Sequence, residues 1–287
     1  MEVIVGTGRH GASTGGGARS PIAAPASSDD GAVHRSRVAY GPRHGQAADL
    51  WLPDMPAGLL PVVVLFHGGF WKGPYTKRLM NRLAADVSRR GWAACNVEYR
   101  RVGPLGRGGG WPATFSDVAA AIDALGTIPG LDLERVVTCG HSAGGHLALW
   151  GAGRPRLPSD APGAEVVVRP SAAISLAGVV DLVEAAGTGL GGGAVEALLG
   201  GGPDALAERY RAASPAAMVP LGLPQLLVHG LADTTVPASM SERYAIRAAA
   251  LGDDATYVPL PGAGHLDMID PAGAAWSTVV GHLADWF

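Results

Sequence analysis

Apolar and polar residues change rhythm repeatedly along this chain, and the changes predict its elements. Val33 to Tyr40 and Ala47 to Leu52 alternate loosely around the turn-like Gly41-Pro42-Arg43-His44-Gly45, which predicts an antiparallel hairpin. Beyond it come short, near-continuous apolar runs: Val62 to Phe66, Ala93 to Glu98, Val136 to Cys139, Ala172 to Leu176, Gln225 to His229 and Thr256 to Leu260. Runs of this kind belong to parallel strands covered on both faces. Helical patterns lie between them at Tyr75 to Arg90, Thr114 to Leu125, Ala143 to Gly151, Pro237 to Leu251 and Pro271 to Trp286. Pro237 and Pro271 suit a first helical turn, where a missing N–H costs little. Strand and helix alternating over this length predict an α/β fold with a mostly parallel, doubly wound sheet of about eight strands.

Two segments break the rhythm. Residues 1–32 are rich in Gly, Ser, Ala and Pro and lack the apolar core of a secretory signal, so a poorly ordered extension is expected ahead of one domain over 33–287. Residues 178–223 are long for a connection and mix the Gly-rich stretch Gly187 to Gly193 with two short helical patches, which predicts a small cap over a site. A length of 287 residues with 47% hydrophobic content suits one large α/β domain. The net charge of −3 and scattered Lys and Arg exclude nucleic acid and anionic membrane as expected partners. No apolar run reaches the length of a membrane span, so the expectation is a soluble, cytoplasmic protein. Cys95 and Cys139 sit in apolar runs and read as small buried hydrophobes, with no disulfide framework.

The chemistry concentrates where Arg135 to Cys139 runs into Gly140-His141-Ser142-Ala143-Gly144-Gly145 and then into the helix-prone His146-Leu147-Ala148-Leu149-Trp150. This is a G-x-S-x-G elbow between strand and helix, which lifts a serine hydroxyl above the sheet. Serine needs a general base, and the base needs a carboxylate to orient it. Elbow folds supply these in the order serine, acid, histidine, which leaves His229, His265 and His282. His265 follows the last strand through Pro261-Gly262-Ala263-Gly264 and is the expected base; His229 is expected to pack at a strand end, and His282 lies inside a helix pattern. Asp233 is the expected acid, with Asp181 as its rival, while Asp270 reads as a cap before Pro271. Attack on a carbonyl creates an oxyanion that needs fixed N–H donors. His67-Gly68-Gly69-Phe70-Trp71 follows a strand and can offer the amides of Gly69 and Phe70 beside that of Ala143; His67 itself reads as a structural hydrogen-bonding residue.

With these residues assembled, the chain from about Arg35 onward resembles the α/β-hydrolase superfamily. The HGGFW loop, the GHSAGGHLALW elbow, the HGLADTTVP acid loop and the GAGH base loop stand in that superfamily's order. Within it, the loop, the strand end Asn96-Val97-Glu98-Tyr99-Arg100 and the elbow are similar to arylformamidases of the kynurenine formamidase type and to small carboxylesterases. The acid loop is also similar to prolyl-oligopeptidase-like peptidases, although Leu231 stands where many relatives carry an aspartate and no propeller is present. The resemblance implies Ser142 as nucleophile, Asp233 as acid, His265 as base, and Gly69, Phe70 and Ala143 around the oxyanion.

The expected activity is hydrolysis of a small-molecule carboxylic ester or amide through an acyl-enzyme, needing neither metal nor organic cofactor. A carboxylesterase is the first expectation and an arylformamidase the second, ahead of a small peptidase or a non-catalytic binding protein. Trp71, Trp111 and Met268 are the expected substrate-binding residues, with Phe70 and Leu266 beside them. Trp150 is expected in the core, His146 either near the site or in helix packing, and Arg100 on a substrate carboxylate or on Asp117.

Overall fold

Leu60–Phe66 is buried at every residue, as an uninterrupted apolar strand must be when helices cover both faces of its sheet. The computed structural model describes residues 3–5, 33–56 and 58–287, and within them this strand is one of nine. In chain order they are β1 (Val3–Val5), β2 (Val33–Ala39), β3 (Ala47–Pro53), β4 (Leu60–Phe66), β5 (Ala93–Val97), β6 (Leu131–His141), β7 (Ala172–Leu176), β8 (Gln225–Gly230) and β9 (Ala255–Leu260). Across the sheet they stand β1-β9-β8-β7-β6-β4-β5-β3-β2. The run from β9 through β5 is parallel. β2 and β3 form the expected antiparallel hairpin, and β3 pairs antiparallel with β5. Val3–Val5 adds the ninth strand by pairing antiparallel with Ala255–Tyr257 of β9. The rest of the extension expected over 1–32 lies outside the described residues.

Period-two alternation splits each central strand between two cores. In β4, Val62, Val64 and Phe66 face one side, and Val63 and Leu65 the other. The helices are α1 (Asn81–Arg89), α2 (Ala113–Asp123), α3 (Ala143–Gly153), α4 (Leu182–Gly187), α5 (Ala194–Leu199), α6 (Ala207–Ala213), α7 (Pro215–Met218), α8 (Ala238–Ala250) and α9 (Ala274–Trp286). Leu83 and Val87 of α1 pack with Trp276, Val279 and Leu283 of α9 on the Leu65 side, while α2, α3 and α8 cover the Val64 side.

Residues 178–223 fold as α4 to α7 rather than two patches, and they pack over α3. That placement explains why α3 is buried at all eleven residues: it lies between sheet and covering helices, so it carries no polar face. Trp150 Nε1 and His146 Nε2 donate to the carbonyls of Ala212 and Ala213, each at 2.9 Å, and tie α3 to α6.

The chain leaves β4 toward β5 on one side and leaves β6 toward β7 on the other, although β4 and β6 are neighbours. Connections that part in opposite directions open a crevice at the carboxyl ends of the two strands. The loop that begins at His67 and the turn at Ser142 are the two walls of that crevice.

Candidate active site

The turn after β6 is built by the absence of side chains. A Cβ on Gly140 would lie 2.0 Å from the Gly144 carbonyl oxygen, and one on Gly144 would lie 2.0 Å from the Phe66 carbonyl oxygen, so β6, α3 and the end of β4 touch backbone to backbone. Between those glycines Ser142 adopts φ 57° and ψ −120°, a conformation that costs energy in any residue with a Cβ. Its N–H donates to the Leu176 carbonyl at 2.8 Å, and its carbonyl accepts from His146 at 3.2 Å and Val179 at 3.3 Å. Neighbouring loops therefore hold the strained turn in place. Phe70, Trp71 and Ala177 share its positive φ, so strain gathers around this crevice.

Asp233 lies on the loop after β8 and accepts four hydrogen bonds. Oδ1 takes the amides of Thr235 at 2.7 Å and Val236 at 3.0 Å; Oδ2 takes His265 Nδ1 at 2.6 Å and His229 Nε2 at 3.2 Å. Burial by itself would raise this carboxyl, but the two histidines and the two amides outweigh it and hold it far below the usual carboxylate range. An ionised Asp233 fixes the proton of neutral His265 on Nδ1 and leaves Nε2 as a lone pair. His229 Nε2 also donates to the Val236 carbonyl at 3.0 Å, and its Nδ1 lies 2.8 Å from Ser241 Oγ, so this ring braces the acid loop from behind.

His265 reaches the serine's neighbourhood through His141. The His141 ring packs against that of His265 with centroids 4.5 Å apart, and His141 Nε2–H donates to the His265 carbonyl at 2.9 Å. Among the described residues no hydrogen bond engages the Ser142 hydroxyl. The serine turn and the loop bearing His265 are thus joined through His141, the residue that precedes Ser142.

The loop after β4 closes the crevice. A Cβ on Gly68 would come within 3.0 Å of Ser142 Cβ, so this loop runs directly over the serine. The amides of Gly69, Phe70 and Ala143 donate to no backbone acceptor among the described residues. His67 anchors the loop from below: it stacks on Tyr99 at 4.3 Å, its Nε2 lies 3.2 Å from Glu98 Oε1, and its carbonyl accepts the Tyr99 hydroxyl at 2.7 Å. Burial opposes the Glu98 charge, but the hydrogen bond to His67 and the nearby Arg101 charge hold the carboxyl below its ordinary value. Lys72 Nζ donates to the Gly191 carbonyl at 2.8 Å and joins the loop to the segment over α3.

A model of the BD-FAE family matches residues 48–247. The chain belongs to the BD-FAE family. It is similar to kynurenine formamidase of Danio rerio, at 33% identity over 112 residues, covering 39% of this chain and 36% of that protein. A probable carboxylic ester hydrolase, LipM, of Mycobacterium tuberculosis is 31% identical over 157 residues, covering 52% of this chain and 35% of that one. The chain thus spans about a third of the length of these curated relatives. Among solved structures, esterase B from Lactobacillus rhamnosis, inhibited by a tributyrin phosphonate, superposes with a TM-score of 0.74 at 21% identity, covering 88% of this chain and 85% of that one. This likeness carries the α/β-hydrolase fold.

The aromatic and thioether residues expected in a substrate pocket stand elsewhere in this BD-FAE chain. Trp71 is wholly buried, and its indole N–H donates to His146 Nδ1 at 3.2 Å. Positive φ at residues 70 and 71 turns the ring inward, where it pins the loop to α3 instead of meeting a reactant. Met268 is also wholly buried and packs with Trp276 and Val279 under the sheet. Trp111 lines a groove of about 900 Å³ with Pro112, Pro158, Asp204 and Leu206; none of the groove's lining residues belongs to the serine turn or the base loop. Asp181, the rival acid, caps α4 through the amides of Val183 and Glu184. Arg100 is committed to Asp117, with Nη2 to Oδ1 at 2.6 Å. His282 Nδ1 bonds the Thr278 carbonyl within α9. The sequence reading assigned no part to His141 or Glu98; the signal for both was an ionisable residue inside a run whose neighbours are all buried.

Proposed function

We propose that the chain is a serine carboxylesterase acting on a small-molecule ester, with Ser142 as nucleophile, His265 as base and Asp233 as its orienting acid. The observation that carries this reading is the 2.6 Å bond from His265 Nδ1 to an ionised Asp233, which leaves Nε2 without a hydrogen-bond partner among the described residues. In the proposed mechanism Nε2 takes the Ser142 proton as the hydroxyl oxygen adds to the substrate carbonyl. The amides of Gly69, Phe70 and Ala143 receive the oxyanion, each donor lowering the barrier by on the order of 3 kcal/mol. Asp233 steadies the imidazolium, which then protonates the departing alcohol. Water, deprotonated by the same nitrogen, releases the acyl group and restores the serine. Every step uses groups of the chain itself.

The match to kynurenine formamidase favours a second reading, cleavage of an aryl formamide, because attack, oxyanion and proton delivery are the same for a formyl amide. A substrate panel separates the two. Hydrolysis of p-nitrophenyl acetate faster than N-formylkynurenine supports the esterase, and the reverse ranking supports the formamidase. Ser142→Ala abolishes both activities; turnover retained in that variant overturns the proposal.

A further inference from the structure

We infer that His141, the residue before the elbow serine, is a positioning residue that locks the base loop to the oxyanion loop and thereby sets where His265 stands relative to Ser142. The inference rests on the triad reading above and adds a fourth side chain to it.

The His141 side chain touches both halves of the machinery. On one side, its Nε2–H donates to the His265 carbonyl at 2.9 Å and its ring lies against the His265 ring at 4.5 Å. A carbonyl can only accept, so the proton is on Nε2 and Nδ1 is a bare lone pair. On the other side, a Cβ on Gly68 would sit 2.9 Å from that Nδ1, which places the ring edge against the oxyanion loop. Nδ1 is sealed from solvent and has no partner among the described residues. An apolar residue in this buried slot would have no such orphan atom, and what the imidazole offers in return is the single bond to the base loop.

That bond adds to the holds on the base loop, which are the Ala232 N–H on the Ala263 carbonyl at 3.0 Å, the His265–Asp233 bond and the buried Met268 side chain, by fixing the backbone of His265 itself. Pro261, Gly262, Leu266 and Asp267 are exposed, and Gly264 is tied only to Asp267 of the same loop, at 2.7 Å. Among the described residues, His141 is the one side chain from another element that bonds the loop's backbone. Burial, reinforced by the neighbouring His265, pushes the His141 imidazole down to about 3. The ring therefore stays neutral at working pH, keeps its donor on Nε2, and adds no charge beside the imidazolium that forms on His265 during reaction.

The test compares His141→Phe, which keeps a ring and loses the donor, with His141→Gln, which keeps an N–H donor. Rates of serine labelling by a fluorophosphonate probe and kcat and KM on p-nitrophenyl acetate are measured for each. The expected result is a fall in labelling rate and kcat of about 10- to 100-fold for His141→Phe, with KM nearly constant, and substantial recovery in His141→Gln. Labelling and kcat unchanged in His141→Phe overturn the inference, as does a loss that His141→Gln shares in full, which marks a packing role. Nitrogen NMR of the native protein labelled at histidine gives a readout independent of variant folding: His141 appears as a neutral Nε2–H tautomer that does not titrate between about pH 5 and 8, and a titrating ring or an Nδ1–H tautomer overturns the inference. Native protein that fails to label at all refutes the triad reading and leaves the NMR outcome to judge His141 alone.

Discussion

Stability is expected to fall steeply in mild acid because of two buried histidines, and His146 shows why. Its ring is wholly buried, Nδ1 accepts from Trp71 at 3.2 Å and Nε2 donates to Ala213 at 2.9 Å, so both nitrogens are used by the neutral form. A proton on Nδ1 would face the Trp71 N–H. Burial pushes this imidazole down to about 4, and His141 down to about 3, from an ordinary value of 6.5. The unfolded chain protonates both rings as pH drops through 6.5, while the folded chain leaves them neutral, so stability is present above 6.5 and is lost as pH falls toward the folded values. Each pH unit in that window costs about 1.4 kcal/mol per ring. At pH 5 the two together remove about 4 kcal/mol, a large part of the roughly 5–15 kcal/mol that a domain possesses. Urea unfolding followed by circular dichroism at several pH values from about 5 to 7.5 reads this directly. His146→Gln should flatten the slope of stability against pH between about 5 and 6 by about 1.4 kcal/mol per unit, whatever it does to stability at neutral pH. A slope that the substitution leaves unaltered refutes the assignment of a neutral, buried His146.

Two further outcomes follow from the geometry. Gly144→Ala places a Cβ 2.0 Å from the Phe66 carbonyl oxygen and 2.7 Å from that of His67; backbone cannot yield there, so thermal unfolding should show a loss of about 3 kcal/mol or more, with hydrolysis falling at the same time. Asp233→Asn replaces the acceptor of the His265 Nδ1 proton; kcat should fall on the order of 10⁴-fold with the fold intact by circular dichroism, because the imidazole then favours the wrong tautomer.

How far the fold could be read from the chain depended on whether a residue's surroundings are local. β7 is bounded by Ala172 and Leu176 as expected, because a short run broken only by Ser175 lies between the punctuating residues Pro170 and Gly178. β6 begins at Leu131, five residues before the expected Val136, since Asp132, Leu133 and Glu134 sit at the partly exposed start of the strand and mask its pattern. α9 starts at Ala274 behind the cap residue Gly273, not at Pro271. The juxtaposition of Asp233 and His265 was legible from motif order. The inward turn of Trp71 was not: it depends on positive φ at two successive non-glycine residues and on a partner, His146, that lies 75 positions away. His141 was hidden in plain sight, occupying a motif slot that the elbow pattern leaves unspecified.

In the proposed mechanism one hydroxyl, that of Ser142, is made nucleophilic by His265 and Asp233. Stoichiometric treatment with a fluorophosphonate, followed by intact mass and peptide mapping, tests it most directly. A single phosphonyl adduct is expected on the peptide containing Ser142, formed in step with loss of hydrolysis and absent from Ser142→Ala. An adduct on another residue that tracks the loss of activity, or full activity in protein phosphonylated at Ser142, would contradict it.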